Sequence, residues 1–109
     1  MITVLNPFIP FKGFKVLTFW PFLFIRKGSS PMTDANLNHE RIHARQQIEM
    51  LLLPFYLWYG IEYLVRLVQH RFKSKEAYFA ISLEREAYQN QDDPSYLDRR
   101  QAYCWLSLL

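Results

Sequence analysis

Hydrophobic and polar residues follow two different periods along this chain of 109 residues. Residues 15–26 are rich in β-branched and aromatic side chains and lie between Gly13 and Gly28, which is typical of β-strand structure. Pro21 lies inside this segment, so the pattern predicts either an edge strand or two short strands that meet at a bend. Residues 1–14 are interrupted by proline and glycine and are predicted to be irregular.

A helical period begins after residues 26–34, a loop in which Thr33 or Asp34 is suited to cap a helix. The first helix is predicted over residues 35–53, and a helical projection divides it into three faces. The apolar face, which we expect to meet the core, contains Leu37, Ala44, Ile48, Leu51 and Leu52. The solvated face contains Asn38, Arg41, Arg45 and Glu49. A third face contains His39, His43, Gln46 and Met50.

Three further helices are predicted toward the C-terminus. Pro54 is predicted to end or kink the first helix, and residues 55–72 are predicted to form a second helix that is apolar around most of its circumference. A third helix is predicted over residues 76–91, and a fourth over residues 96–108 with Ser95 as its cap. The predicted fold class is therefore mainly α (α+β). We expect a single domain of about four helices with a short N-terminal β-hairpin or edge strand.

Composition narrows the class of protein. Half of the residues are hydrophobic and 17% are aromatic, which is enough for a packed core. The net charge is +3, but the basic residues are interleaved with acidic ones. That arrangement argues against a nucleic-acid partner and mildly for an anionic membrane surface. Cys104 is the only cysteine, so no disulfide can form within the chain.

The second helix raises the question of membrane contact. The stretch from Met50 to Ile61 is uncharged over 12 residues, which is short of the roughly 18 that a bilayer-spanning helix needs. We expect a buried core helix, a homodimer contact, or a helix at the membrane interface with Trp58 at headgroup depth. The N-terminus lacks a basic segment and is broken by Pro7 and Pro10, so no signal peptide is predicted. The expected location is cytoplasmic or membrane-associated.

Residues 39–43 read His-Glu-Arg-Ile-His, the pattern HExxH. Positions four apart lie on the same side of a helix, so His39 and His43 can direct imidazole nitrogens at one zinc ion. Glu40 lies close enough to take a proton from a water on that metal. In a second interpretation the histidines only pack in the core, but core histidines would be expected on the aliphatic face. The pattern therefore favours a metal site.

A catalytic zinc site needs three protein ligands and an open position. The sequence after His43 offers no cysteine pair, so the third ligand should be a carboxylate or His70. On the third helix Glu84 lies on the apolar, inward face, and Glu86 is predicted on the outward face. A carboxylate on an apolar face is costly to bury unless it is paired or bound to a metal. Glu84 is therefore the preferred third ligand.

Two alternatives apply to the third helix. Glu84 could form a buried ion pair with an arginine such as Arg45 or Arg66 instead of binding a metal. Glu76 could supply the third ligand, although an acid at the start of a helix is ordinarily solvated and stabilised by the helix dipole. Zinc content in variants of these acids distinguishes the alternatives.

The combination of HExxH on one helix with a glutamate on a later helix resembles the gluzincin metallopeptidases. The stretch Glu84-Arg85-Glu86-Ala87-Tyr88 is similar to the E-x-x-A-D ligand helix of membrane-associated peptidases related to the CAAX prenyl protease and its bacterial heat-shock relatives. Tyr88 stands where those larger peptidases carry aspartate. Residues 15–109 also resemble a family of small, uncharacterised bacterial proteins with the same HERIH and EREAY segments. The resemblance implies a minimal zincin-like domain in which Zn²⁺ is held by His39, His43 and Glu84.

The expected function is zinc-dependent hydrolysis of a peptide or protein substrate, with Glu40 as the general base. A developing oxyanion needs a further donor, for which Tyr88, Tyr78 and His70 are the candidates. One alternative is a non-catalytic zinc-binding or regulatory module, whose site would be closed by a fourth ligand such as His70 or Cys104. A second alternative is an interfacial membrane-binding protein in which the HExxH pattern is accidental.

Overall fold

The computed structural model describes residues 2–8, 15–28 and 31–109. Its N-terminal part is a three-stranded sheet formed by β1 (Ile2–Asn6), β2 (Val16–Phe19) and β3 (Phe22–Arg26). The strand order is β1-β3-β2, with β3 antiparallel to β2 and parallel to β1.

The strand predictions are confirmed in one part and wrong in another. Two short strands meet at a turn that contains Pro21, as one form of the prediction had it, and β2 lies at an edge of the sheet. The prediction that residues 1–14 are irregular is wrong for residues 2–6, which form β1. These residues include β-branched side chains, and they pair with the edge of β3 that β2 leaves open. Residues 9–14 lie outside the described part of the chain.

Two long helices follow the sheet. The first, α1 (Asp34–Met50), is capped by Thr33. The Thr33 hydroxyl accepts from the backbone N–H of Asn36, and the Asn36 side chain accepts from the backbone N–H of Thr33. The second, α2 (Leu53–Gln69), has Pro54 in its first turn, where the missing N–H of proline costs nothing. The axes of α1 and α2 differ by 112°. A break between the two helices was predicted and is present, but it lies at Leu51 and Leu52, which both have positive φ, and not at Pro54.

The third predicted helix is interrupted. Instead of one helix over residues 76–91, the chain forms α3 (Ser74–Ala80) and α4 (Ser82–Asn90), with Ile81 in an extended conformation between them. The buried carboxylate of Glu62 on α2 accepts from the backbone N–H of Ser82 at 2.7 Å and from its hydroxyl at 2.5 Å. These bonds satisfy an N–H at the start of α4 and give the buried acid its donors. A tertiary contact therefore outweighs the local helical preference.

Replacing Glu62 with glutamine is expected to lower the free energy of unfolding by about 1–3 kcal/mol, because one acceptor for Ser82 becomes an amide donor inside the protein. Urea unfolding monitored by circular dichroism measures the loss. The matched control is Asp98→Asn, which makes the same change in an exposed side chain and should leave the midpoint in place. Equal midpoints for the two variants would contradict the role assigned to Glu62.

The predicted C-terminal helix is also wrong as a single element. Residues 96–108 form a short α5 (Tyr96–Arg99) and a 3₁₀ helix (Cys104–Leu108). They are separated because Arg100 is extended and its guanidinium is buried between two carboxylates, those of Glu49 and Glu86. The extended conformation at Arg100 ends α5 and accompanies the pairing of its guanidinium with Glu49 and Glu86.

The core lies between α2, α4 and the 3₁₀ helix. Its buried members are Phe55, Ile81, Leu83 and Trp105. The fold is mainly helical with a small sheet, so the predicted fold class is confirmed. No single helix in the described ranges has the length and apolar character for crossing a bilayer; α1 and α2 would pass only as a pair, by length and composition, and that pair is sharply bent.

The predicted faces of α1 need correction. Leu51 and Ile48, predicted to meet the core, are 77% and 46% exposed. Asn38, predicted to be solvated, is buried because its amide donates to the carbonyl groups of residues 90, 91 and 93 at 2.8–3.2 Å. Glu49 is likewise turned inward, toward Arg100. The buried side of α1 is therefore largely polar, and it is the side that carries the two histidines.

Candidate metal centre

Three side chains from two helices converge inside the protein. His39 and His43 come from α1, and Glu84 comes from the first turn of α4. The Nε2 atoms of the two histidines are 3.1 Å apart, and Glu84 Oε1 lies 3.1 Å from that of His39 and 2.9 Å from that of His43. The interruption at Ile81 helps to place Glu84, because it sets where α4 begins.

Glu40 lies at the side of this cluster. His39, Glu40 and His43 are all buried, and their potential ligand atoms lie within 4.8 Å of one another, so the group could hold a metal ion. The Oε2 atom of Glu40 is 3.9 Å from Nε2 of His39. Its Oε1 atom accepts a hydrogen bond of 3.1 Å from the hydroxyl of Thr18 on β2. The sheet therefore orients Glu40, with one oxygen held by Thr18 and the other toward the histidines.

A buried amide sets the proton position on His43. Gln46 Nε2 donates to the carbonyl of Leu83 and to the Glu86 carboxylate, at 3.0 Å each, so its Oε1 must face His43 Nδ1 at 2.9 Å. Because Oε1 only accepts, Nδ1 of His43 carries the proton and donates. In the neutral imidazole Nε2 then presents a lone pair to the cluster. Gln91 Oε1 lies 2.8 Å from His39 Nδ1 in the equivalent position.

This donor set fits a metal ion. Two imidazole lone pairs and a carboxylate oxygen lie about 3 Å from one another, and such acceptors repel unless a cation lies between them. Imidazole nitrogen with carboxylate oxygen is a common ligand set for divalent transition metals. The outer hydrogen bonds to Gln46 and Gln91 have the form that usually orients histidine ligands.

The pKa values of the clustered side chains show that the site favours a positive charge. Burial alone would lower the pKa of His43, but the neighbouring Glu84 carboxylate raises it to about 9. Burial alone would raise the pKa of Glu84. The charge of His43 and the hydrogen bonds from both histidines outweigh burial and hold the pKa of Glu84 far below its usual range. Burial raises the pKa of Glu40 against the lowering effect of the histidines. The site therefore attracts a positive charge, which either a proton or a metal can supply.

Three tyrosines surround the ligand atoms. Tyr59 on α2 donates from its hydroxyl to Glu84 Oε2 at 2.6 Å. The ring of Tyr88 stands edge-on to His39 with 4.4 Å between centroids, and its hydroxyl lies 3.0 Å from that of Tyr78. Tyr78 and Tyr88 were predicted to lie near the site, and they do. Tyr59 was missed, although its spacing of four residues after the buried Phe55 places both on one face of α2.

His70 and Cys104 lie elsewhere. The Nδ1 atom of His70 is 3.7 Å from a carboxylate oxygen of Glu76, at the end of α2. The thiol of Cys104 is 3.3 Å from the hydroxyl of Tyr96. Within the described residues, neither side chain contacts His39, His43 or Glu84. Neither is therefore a fourth ligand in this structure.

The structure also shows where the residues of the alternative ion-pair interpretation lie. Glu84 contacts the two histidines, whereas Arg66 pairs with Glu62 and Arg45 is exposed. The prediction that Glu86 faces outward is wrong, because it is fully buried and ion-paired with Arg100. The helical projection assumed an uninterrupted helix and no partner for the outer side of α4. The C-terminal segment supplies that partner.

No protein-family model, curated protein or solved structure matches this chain. The resemblance to the gluzincins thus continues to rest on the residues of the HERIH and EREAY segments.

Proposed function

We propose that this protein is a zinc-dependent hydrolase of peptide bonds. The observation that carries the proposal is the convergence of two imidazole nitrogens and a carboxylate oxygen at about 3 Å, with Glu40 beside them. Two histidines and a glutamate, with a free position for water, form a common ligand set of catalytic zinc. The ligands in this proposal are His39, His43 and Glu84.

When bound, zinc supplies a Lewis acid and lowers the pKa of its water ligand to about 7. In this proposal Glu40 would take the proton of a water in the site at Oε2, because Thr18 holds the other oxygen. Its pKa is raised by burial, which suits a carboxylate that first accepts a proton and then returns it. The water oxygen would bond to the carbonyl carbon, and as the peptide C–N bond breaks Glu40 would return the proton to the departing amine nitrogen.

The tyrosines have separate roles in this proposal. Tyr59 orients the Glu84 carboxylate through its hydrogen bond to Oε2. Tyr88 is 37% exposed and lies between His39 and solvent, so its hydroxyl and that of Tyr78 are the candidates to donate to a developing oxyanion. His70 is not assigned a role, because it pairs with Glu76 away from the cluster.

One observation favours a second function, a non-catalytic metal-binding module. His39, Glu40, His43 and Glu84 are each no more than 7% exposed. Two cavities of the described chain lie elsewhere: one is lined by residues between His70 and Ala80, the other by residues of α2 and by Leu109, and neither includes any of these four side chains. A substrate has to displace Tyr88 or its neighbours to reach the metal. Hydrolysis by the wild-type protein decides between the two functions.

Replacing Glu84 with glutamine is expected to weaken zinc binding by more than about a hundredfold, because it removes a charged ligand. Loss of a side chain that only hydrogen-bonds to a ligand usually costs about tenfold to a hundredfold. Competition with a chromophoric chelator measures the affinity, and elemental analysis gives the stoichiometry, expected to be one zinc per chain in the wild type. Glu76→Gln is the matched control because Glu76 was the alternative ligand and is exposed. Unchanged affinity for Glu84→Gln would remove Glu84 from the ligand set.

A further inference from the structure

An apolar face remains uncovered on α2. The helix buries only Phe55 and Glu62 completely, while one side along its whole length is exposed. The exposed aliphatic residues of this outer face are Leu53, Leu57, Ile61, Leu64, Val65 and Val68. Gly60 and Gln69 also lie on this side, and no charged residue does. With 17 residues at about 1.5 Å each, the face is about 25 Å long.

Basic residues adjoin one end of the outer face. Arg71, Lys73 and Lys75 follow α2 directly and are exposed. Phe72 lies among them and is itself 72% exposed. In the part of the chain that the structure describes, no ion pair involves these three cations; the nearby acid, Glu76, faces His70. The outer face therefore ends in a concentrated positive charge.

We propose that the outer face of α2 docks on an anionic membrane surface, with the helix lying in the plane of the interface. An amphipathic arrangement of aliphatic residues flanked by lysine and arginine is what binds such a surface. The aliphatic side chains enter the boundary of the acyl chains, while Arg71, Lys73 and Lys75 meet anionic headgroups. Trp58 is 38% exposed at the edge of the face, and its indole N–H donates to Glu62, so its ring is the part that can meet the interface.

Charge favours lipid over a second copy of the chain as the occupant. A symmetric pair of α2 helices would place the outer face of one copy against the outer face of the other. The only acid on α2 is Glu62, which is buried and bonded to Ser82 and Arg66. The three cations would then find no acid on the facing helix. An anionic lipid surface supplies both the apolar medium and the counter-charge.

Docking through this face leaves the candidate metal centre intact. The inward side of α2 carries Tyr59, which bonds to Glu84, and Phe55, which packs in the core. The outer face points away from both. Variants of the outer face can therefore be tested for membrane binding with zinc affinity as a check on the fold and the site.

The test is co-sedimentation of the full chain with two kinds of vesicle, phosphatidylcholine alone and a two-to-one mixture of phosphatidylcholine and phosphatidylserine. We expect wild-type protein to bind the mixed vesicles more strongly. The double substitution Leu57→Glu and Leu64→Glu should reduce the binding constant at least tenfold, because it places charge in the apolar medium. The matched control, Ile48→Glu, changes an exposed aliphatic residue on α1 and should bind like the wild type.

The basic residues have their own variant. Changing Arg71, Lys73 and Lys75 together to glutamine should weaken binding to the mixed vesicles by about a hundredfold, since each charge contributes roughly a factor of five. Binding to pure phosphatidylcholine should change little. Two results would overturn the proposal. One is wild-type protein that ignores both vesicles and is monomeric by sedimentation equilibrium; the other is a dimer that Leu64→Glu converts to monomer without any effect of lipid.

Discussion

Replacing Glu40 with glutamine is expected to slow peptide hydrolysis by about a hundredfold to ten-thousandfold, the range attributed to a positioned acid–base group. Glutamine keeps the volume of the side chain and can still accept from Thr18, but it cannot carry a proton from water to the departing amine. Zinc content should stay at the wild-type value, because Glu40 is not one of the three proposed ligands. Turnover of a quenched-fluorescent peptide mixture and elemental analysis measure the two quantities.

Two controls separate the chemistry from the fold. Glu76→Gln makes the same change at an exposed acid and should retain full turnover. Thr18→Val removes the hydroxyl that holds Glu40 Oε1 and should cost less than Glu40→Gln itself, because the carboxylate remains. Full activity of Glu40→Gln would exclude this residue from proton transfer. Zinc binding without any turnover in the wild type would instead favour the non-catalytic module.

The sequence alone was sufficient for the local part of the candidate site. His39, Glu40 and His43 are close in the chain, so the geometry of one helix brings them together, and α1 covers them as predicted although it ends at Met50 rather than at residue 53. Glu84 could be proposed because a carboxylate among apolar neighbours needs a partner, and the structure places it at the two histidines. The nearness of His39, Glu40 and His43 follows from the geometry of one helix, whereas the contact of Glu84 with the histidines depends on how α4 packs against α1.

The errors arise where distant segments determine the structure. The break at Ile81 depends on Glu62, which lies twenty residues before Ser82 in the chain and caps the start of α4. Asn38 and Glu49 looked solvated because polar residues usually are, yet both bind groups from the last twenty residues. The aliphatic residues of α1 were predicted to face the core, but the buried side of the helix is mostly polar and is hydrogen-bonded to other segments. No periodicity in a single segment contains this information.

The same distant contacts lead to the second large prediction. Arg100→Met is expected to lower the free energy of unfolding by about 3–5 kcal/mol, because removing one partner leaves buried charges uncompensated. The Arg100 side chain is 1% exposed, and it bonds to both oxygens of Glu86 and of Glu49. Chemical unfolding of the metal-free protein measures the loss. The neighbouring Arg99→Met is the matched control, since Arg99 is exposed and its pairing with Asp93 is open to solvent.

The effect of Arg100 should also reach the metal centre. Glu86 accepts from Gln46, and the same amide accepts from His43 Nδ1, so the guanidinium is linked to a proposed ligand through two hydrogen-bonded side chains. Loss of such outer support typically weakens metal binding about tenfold to a hundredfold. In the double variant Arg100→Met, Glu86→Gln, a neutral amide replaces one uncompensated carboxylate, so the stability loss should be smaller than the sum of the two single losses. Additive losses would show that the two side chains act independently. Unchanged zinc affinity in Arg100→Met would show that the C-terminal segment has no part in holding His43.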